Sequence, residues 1–240
     1  MTTTAVESRR ISVGQRVYEA LRRQILSLDL PPGSALSENE LAASLQVSRT
    51  PIREAILLLI QDGLVQVFPK IGTFVSKVDL RAVAEAEFLR EAVEVASLRS
   101  LTYPLDEDAV RALSVILEQQ EAAAGDAALF FALDEQFHEA LMALAGHRGS
   151  WATVSQAKAH LDRARRLGLR MVSSLPGLAT DHRAILDAVV TGDLDQAESL
   201  LRQHLSVVFG EADEIRARSP ELFVADVPTV PVRRLVAVWE

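Results

Sequence analysis

Residues 36–65, LSENELAASLQVSRTPIREAILLLIQDGLV, carry the clearest structural signals in the first part of the chain. Ser37 followed by Glu40 is a capping-box pattern, which predicts that a short helix begins here. Ser48 is placed to cap a second helix, and Gly63 lies where a left-handed residue would end that helix. The apolar stripe of this second helix has helical spacing and consists of Ile52, Ala55, Ile56 and Leu59. The stretch therefore predicts two helices joined by a tight turn.

The residues on either side of this stretch complete a small domain. Upstream, another helical period ends at Pro31-Pro32-Gly33, and its apolar members are Val17, Leu21, Ile25 and Leu28. Downstream, the segments LVQVF and TFVS flank Pro69-Lys70-Ile71-Gly72, a pattern that predicts a β-hairpin. Three helices followed by a hairpin, with a tight turn between the second and third helices, make a winged helix-turn-helix.

The first turn of the third helix carries residues that can read DNA. In a helix-turn-helix, the N-terminal residues of this helix reach base edges in the major groove, and here they are Ser48, Arg49, Thr50 and Arg53. Arg49 and Arg53 are four residues apart and share a face. An arginine can donate two hydrogen bonds to guanine, and the helix N-terminus can hold a phosphate. The alternative is a helix surface with solvated arginines.

The composition is compatible with DNA binding by one part of the chain. The 240 residues carry a net charge of −8, but residues 1–78 carry +2 and residues 79–240 carry −10. The length predicts two domains. The chain has no apolar run of about 18 residues, so we expect no membrane span, and the opening MTTTAVESRR lacks the apolar segment of a secretory signal. We therefore expect a cytoplasmic protein.

From Asp79 onward the sequence shows only helical periods with short breaks. The predicted helices are 79–101, 106–124, 126–145, 148–172, 177–191 and 193–217. The predicted fold class is mostly α, with an N-terminal winged helix-turn-helix (1–78) and a C-terminal antiparallel six-helix bundle (79–218). For the tail, 219–240, an added strand, an arm swapped within a dimer and a disordered end all remain open.

Three of the five histidines lie on predicted helices together with one carboxylate. Asp134 and His138 are four residues apart, so they point the same way. His182 and His204 lie among apolar neighbours on the last two predicted helices. With no cysteine in the chain, a metal site must use histidine and carboxylate, and this set suits zinc, nickel or a similar divalent ion. The alternative is that each histidine is an ordinary core or surface residue.

The first domain resembles the DNA-binding domain of GntR-type regulators. The run VSRTPIREA carries the resemblance, together with Pro32-Gly33 and Gly72-Thr73. It implies that Arg49, Thr50 and Arg53 contact bases or phosphates and that the Lys70 side chain, at the tip of the wing, lies near the minor groove. Asn39 stands where some members have a DNA-contacting arginine, so that contact would be made here without charge.

The second domain resembles the effector domain of the FadR-like GntR subgroup, and its six predicted helices resemble the VanR-like branch. The resemblance lies in FLREAVEVAS, LDEQFHEALMALAG and DHRAILDAVVTGDLDQAESLLRQHL. It implies a homodimer that binds an inverted repeat in double-stranded DNA. It also implies a divalent metal, zinc before nickel, held by Asp134, His138, His182 and His204, with a small carboxylate or sugar acid bound at the metal.

Further residues follow from the same resemblance. Arg90 matches an arginine that often lines the effector cavity, although a surface salt bridge with Glu94 is the alternative. Asp181, directly before His182, replaces a common glutamate. The resemblance implies that Asp181 either supports the metal-binding histidine or caps a helix. His147 replaces a common asparagine and is expected to lie exposed at a helix end. His160 is expected to be a surface residue.

Three functions fit the sequence. The first is a regulator, not an enzyme, most simply a repressor that a small acid releases from its operator. The second is a metalloenzyme built on the same four residues, but no nucleophile–base pair accompanies them and the paired Glu-x-x-His motifs of di-iron bundles are absent. The third is a structural helical dimer whose metal only stiffens the bundle.

Overall fold

The structure is a computed structural model that describes residues 12–169 and 175–225. The described residues form two compact units, one ending at Ser76 and the other beginning at Lys77. Among these residues no helix is both long and apolar enough to cross a membrane.

The first unit is a winged helix-turn-helix, as predicted. Its helices are α1 (Val13–Leu26), α2 (Glu38–Ser44) and α3 (Arg49–Gln61). The strands β1 (Ala35–Leu36), β2 (Val65–Phe68) and β3 (Gly72–Val75) form an antiparallel sheet in the order β1-β3-β2. The predicted hairpin is β2–β3. Sequence reasoning missed β1, because two residues are too short to show an alternating pattern.

The predicted stripes of α1 and α3 form the core of this unit. Leu21, Ile25, Ile52 and Leu59 are fully or almost fully buried. Because α1 packs along α3, the apolar face of α3 is buried and the residues between the stripe positions remain at the surface. This packing leaves the first turn of α3 exposed.

The ends of α2 and α3 follow the predicted signals with one exception. The Ser37 hydroxyl accepts a hydrogen bond from the Glu40 amide at 3.4 Å. Gly63 has φ 70°, and the Gly63 and Leu64 amides donate to carbonyls of the last turn, which is a Schellman ending. Ser48 occupies the cap position of α3, but its side chain makes no capping hydrogen bond. The first-turn amides of α3 are therefore not capped by this hydroxyl.

The second unit is helical, as predicted. Its helices are α4 (Leu80–Arg99), α5 (Glu107–Ala122), α6 (Ala127–Leu144), α7 (Trp151–Ala157), α8 (Ala159–Leu169), α9 (Leu175–Thr191) and α10 (Leu194–Arg218). A short 3₁₀ turn, Arg148–Ser150, precedes α7. The main core lies between α4, α5, α6, α9 and α10, and its largest members include Leu98, Leu113, Phe137, Ile185 and Leu201.

The predicted helix 148–172 is wrong as a single element. It is divided at Lys158 into α7 and α8, so the six predicted helical stretches hold seven described α-helices. No glycine or proline marks the break. The buried Lys158 ammonium pairs there with Asp162, at 2.7 Å, and with Glu135 on α6. A tertiary ion pair of this kind leaves no trace in the helical period. The end of the predicted helix, 170–172, lies outside the described residues.

The tail begins with a contact back to the start of the second unit. After a 3₁₀ turn, Pro220–Leu222, the buried Phe223 forms a parallel bridge with Val78. The Val78 amide donates to the Leu222 carbonyl, and the Val224 amide donates to the Val78 carbonyl, each at 2.9 Å. The remainder of the tail, 226–240, lies outside the described residues, so the three alternatives for it stay open.

Candidate functional site

The structure brings the four predicted metal ligands together inside the second unit. Asp134 and His138 come from α6, His182 from α9 and His204 from α10, and all four are buried. One ligand atom from each residue lies within 4.8 Å of the other three. The Nε2 atoms of His182 and His204 are 3.0 Å apart, and His182 Nε2 is 3.6 Å from an Asp134 carboxylate oxygen.

The apolar packing of α6 sets the direction of these side chains. Phe130 and Phe137 are fully buried on this helix, and the Phe137 ring stacks on the His182 imidazole with centroids 4.2 Å apart. Asp134 and His138 are one helical turn apart beside this buried face. The same burial that forms the core therefore turns both polar side chains towards α9 and α10.

Partners on Nδ1 orient two of the three imidazoles. Glu94 on α4 contacts His138 Nδ1 at 2.7 Å, and the Gln120 side-chain carbonyl on α5 contacts His182 Nδ1 at 2.8 Å. Because a carboxylate or a carbonyl oxygen only accepts hydrogen bonds, each Nδ1 carries the proton and each Nε2 keeps its lone pair. His204 Nδ1 lies 3.6 Å from Asp181, which is longer than a hydrogen bond. The imidazoles thus present Nε2 atoms to the centre of the cluster.

Arg165 holds the carboxylate of the cluster. Its guanidinium donates two hydrogen bonds from α8 to Asp134, at 2.7 and 2.8 Å. Burial alone would raise the pKa of Asp134, but the charge of Arg165 and its hydrogen bonds hold it well below the usual range. Asp134 is therefore ionised. Sequence reasoning missed Gln120 and Arg165, which lie far from the ligands in the sequence and carry no local motif.

The histidines are held in the neutral form that binds metal. Burial lowers the pKa of His138 and lowers that of His182 well below its usual range. Burial likewise lowers the pKa of His204 to about 4. Burial opposes ionisation of Glu94, but the neighbouring Arg90 and His138 lower its pKa to about 2. The ionised Glu94 carboxylate can therefore accept a hydrogen bond from His138 Nδ1.

The residues present fit a divalent cation. One carboxylate and neutral imidazole nitrogens are the donors that zinc and nickel accept. His138 Nε2 is buried and has no hydrogen-bond partner among the described residues. A buried nitrogen without a partner costs free energy, and a cation among the four ligands would remove that cost.

Arg90 is buried beside this cluster. Its Nε donates to Glu94 at 2.5 Å, and Glu94 in turn contacts His138. The alternative prediction, a salt bridge with Glu94, thus describes the pairing correctly but is wrong in calling it a surface pair, since both side chains are 2% exposed. Arg90 Nη2 is also buried and has no partner among the described residues. A donor of Arg90 is therefore left for another group.

The other two histidines lie outside the cluster. His147 is exposed at a helix end, as expected. The expectation that His160 is a plain surface residue is wrong. It is half-buried, and its Nδ1 accepts a hydrogen bond of 3.1 Å from the Asp79 amide at the start of α4.

The predicted DNA-contacting residues lie on the surface of the first unit. Ser48, Arg49, Thr50 and Arg53 are exposed at the start of α3, and Asn39 is exposed on α2. Lys70 is exposed in the turn between β2 and β3, with φ 66°. One feature was not expected: Glu38, on α2, contacts both Arg49 and Arg53.

Two family models match the chain. The first, described as bacterial regulatory proteins of the gntR family, matches residues 13–75. The second, described as the FCD domain, matches residues 85–207, about half of the chain. The chain belongs to the GntR family. Its winged helix is the GntR domain of that family, and its helical unit contains the FCD domain.

Known proteins agree with this assignment. A transcriptional regulator in an unstable DNA locus of Streptomyces ambofaciens is 55% identical over 93% of this chain and 95% of the relative. The transcriptional repressor RspR of Escherichia coli K12 is 34% identical over 88% of this chain and 93% of its own. The solved structure of E. coli McbR/YncC superposes with a TM-score of 0.73 at 20% identity, covering 85% of this chain and 98% of that one, and shows the fold alone.

These relatives decide between the functional classes. The family and the relatives are transcription regulators and not enzymes. This GntR protein is therefore a DNA-binding transcription regulator with an effector-binding domain, and the metalloenzyme alternative is wrong.

Proposed function

We propose that this regulator is a metal-containing repressor that a small carboxylate or sugar acid releases from its operator. The DNA-binding domain is residues 1–78, and the effector-binding and dimerisation domain is residues 79–218. The observation that carries the proposal is the buried cluster of Asp134, His138, His182 and His204, in which four ligand atoms lie within 4.8 Å of one another.

The proposed metal is zinc, with nickel or another divalent ion as the alternative. When bound, the cation would supply a positive charge able to hold an anionic ligand. Zinc tolerates four or five ligands, so four protein ligands leave room for one from solvent or from an effector. Arg165 and the Nδ1 partners Glu94 and Gln120 would hold the ligands in place, as groups around metal sites commonly do.

The proposed effector is a small organic acid, with Arg90 as its second anchor. The buried Nη2 of Arg90 supports this role, because a guanidinium donor can bind a carboxylate oxygen while Nε remains bonded to Glu94. Glu94 contacts both Arg90 and the proposed ligand His138. An acid bound at both the metal and Arg90 would therefore act on one connected set of side chains.

The proposed DNA target is an inverted repeat bound by a homodimer, since a two-fold dimer presents two identical recognition helices. Arg49 and Arg53 would read bases. Ser48, Thr50, Asn39 and Lys70 would contact bases or phosphates. The exposure of all six residues supports these roles.

The experiment is a search for an effector followed by DNA titrations. Small organic and sugar acids are screened by thermal shift, because a ligand that binds only the native state raises the melting temperature. Operator DNA is then titrated with and without the best acid, using wild type and His138→Ala. We expect the acid to weaken operator binding by wild type about 5–150-fold and to leave His138→Ala unaffected.

The matched control is His147→Ala, which removes an exposed histidine outside the cluster and should respond like wild type. An acid that weakens operator binding equally in wild type and His138→Ala would rule out the metal as the sensing element. The protein would then be a regulator whose metal has only a structural role.

A further inference from the structure

One carboxylate, that of Glu38, joins the two arginines in the first turns of α3. Glu38 Oε2 accepts from Arg49 Nη2 at 2.9 Å and from Arg53 Nε at 2.8 Å. The bonds run between helices, from α2 to α3, over 11 and 15 residues of sequence. They therefore fix the two side chains relative to each other and to α2, whereas an i,i+4 pair would only tie neighbours on one helix.

The stability of the fold does not explain this arrangement. All three side chains are at least 30% exposed, and ion pairs this exposed contribute little to the free energy of folding. The hydrogen bonds from Arg49 and Arg53 lower the pKa of Glu38, so its carboxylate stays ionised. What the charge does achieve is to hold two like-charged guanidinium groups side by side.

The hydrogen bonds to Glu38 still leave both arginines able to bind DNA. Each guanidinium has five N–H donors, and each bond to Glu38 uses one of them. An arginine held in place loses less conformational freedom when it binds a base. A released arginine can turn towards phosphates instead, and phosphate contacts carry no sequence information.

We infer that Glu38 is a positioning residue for DNA recognition, whose carboxylate holds Arg49 and Arg53 in the arrangement that reads the operator. This inference rests on the proposed role of the two arginines as base readers. Because Glu38 is itself negative, it also repels the phosphate backbone of every duplex. Glu38 therefore raises the selectivity of binding at the expense of affinity for DNA in general.

The test compares two duplexes bound by the full-length protein. The first is the duplex that wild type enriches from a pool of random sequences, and the second has the same bases in shuffled order. Glu38→Gln should bind the shuffled duplex more tightly and lower the ratio of the two affinities about tenfold, the range of one good base contact. The matched control is Glu40→Gln, which removes the same charge from an exposed position on α2 and should keep the wild-type ratio.

The ratio is insensitive to loss of folded protein, because a smaller active fraction changes both apparent affinities equally. An equal fall in the ratio for Glu38→Gln and Glu40→Gln would show an effect of charge alone and overturn the inference. A wild-type ratio for Glu38→Gln would overturn it too. The double variant Arg49→Ala/Arg53→Ala separates the proposed base reading by the arginines from the proposed positioning role of Glu38. If the double variant loses selectivity while Glu38→Gln keeps it, the arginines read bases and only the role of Glu38 is wrong. If the double variant keeps the wild-type ratio, the arginines are not the base readers and both proposals fail.

Discussion

At the scale of single residues, the candidate metal centre depends on which nitrogen of each imidazole carries its proton. Glu94 and Gln120 accept from Nδ1 of His138 and His182 and so leave Nε2 as the lone-pair donor. Gln120 is fully buried and its carbonyl reaches a histidine 62 residues away. Its role is thus to set the tautomer and the orientation of His182.

At the residue scale, we predict a graded loss of metal. Removing two ligands in His182→Ala/His204→Ala should abolish stoichiometric binding of a divalent ion, because two of the four proposed ligands are gone. Gln120→Ala keeps all four ligands but releases His182, so metal affinity should fall about 10–100-fold, as is typical when a partner of a ligand is removed. The measurement is elemental analysis of the purified proteins, followed by competition with a chromogenic chelator.

His147→Ala serves as the control for this series, since it deletes a histidine that lies away from the cluster. It should bind metal like wild type. Undiminished metal in the His182→Ala/His204→Ala protein would show that the cluster is not the site. Unchanged affinity in Gln120→Ala would show that His182 is oriented by packing on Phe137 alone.

At the scale of elements, the two ends of α3 are built differently. At the start, the Ser48 side chain makes no capping bond, which suits an end that is to meet a phosphate. At the other end, Gly63 adopts φ 70° and closes the helix through two backbone hydrogen bonds. The C-terminal end is thus fixed by the chain itself, while the N-terminal end faces solvent.

An alanine at the C-terminal end should loosen this helix. Gly63→Ala places a Cβ in the left-handed region, which costs about 1–2 kcal/mol, and should lower the free energy of local opening of α3 by that amount. Hydrogen exchange of peptides covering 49–61 measures this directly. Gly149→Ala is the control, because a Cβ there meets no atom within 4 Å. Identical exchange of α3 in both variants would mean that another contact ends the helix.

Between α7 and α8, the break lies at a buried ion pair and not at a glycine or proline. The buried Lys158 ammonium lies between Asp162 and Glu135, and breaking such a pair leaves a buried charge without compensation. The division gives α8 its own position, from which Arg165 reaches Asp134. The break thus helps to place a partner of the proposed metal ligand.

At the scale of the whole molecule, regulation requires that DNA and effector shift the same equilibrium between conformations of the protein. If an acid weakens operator binding by a given factor, thermodynamic linkage demands that the operator weaken binding of the acid by the same factor. We therefore expect equal coupling from the two directions, about 5–150-fold. Calorimetric titration of the acid into free protein and into the protein–operator complex measures the effect of the operator on the affinity for the acid. Titration of the operator with and without the acid measures the effect of the acid on the affinity for the operator.

A shuffled duplex controls for bulk electrostatics in these titrations, since it occupies the protein without specific contacts. Coupling factors that differ between the two directions would mean that a third species, such as released metal, takes part. Loss of coupling in His138→Ala with operator affinity retained would connect the effect to the cluster.

The amino-acid sequence was sufficient to predict the local architecture. Helical periods, caps and turn residues predicted the winged helix and the helical second unit, because the burial of one face repeats every few residues. The four-residue spacing of Asp134 and His138 placed them on one face of a helix, and the family motif grouped them with His182 and His204. The identity of a metal and of an effector stays a prediction.

The contacts between polar groups, in contrast, depend on how the helices pack against one another. Glu94 contacts His138 over 44 residues of sequence, Arg165 contacts Asp134 over 31, and Glu38 contacts Arg53 over 15. The spacing of apolar residues predicts which face of a helix is buried. It does not predict which charged or polar side chain the neighbouring helix places against that face. The same reason hid the anchoring of His160 and the burial of Arg90, because each depends on a partner that only the packing of helices brings near.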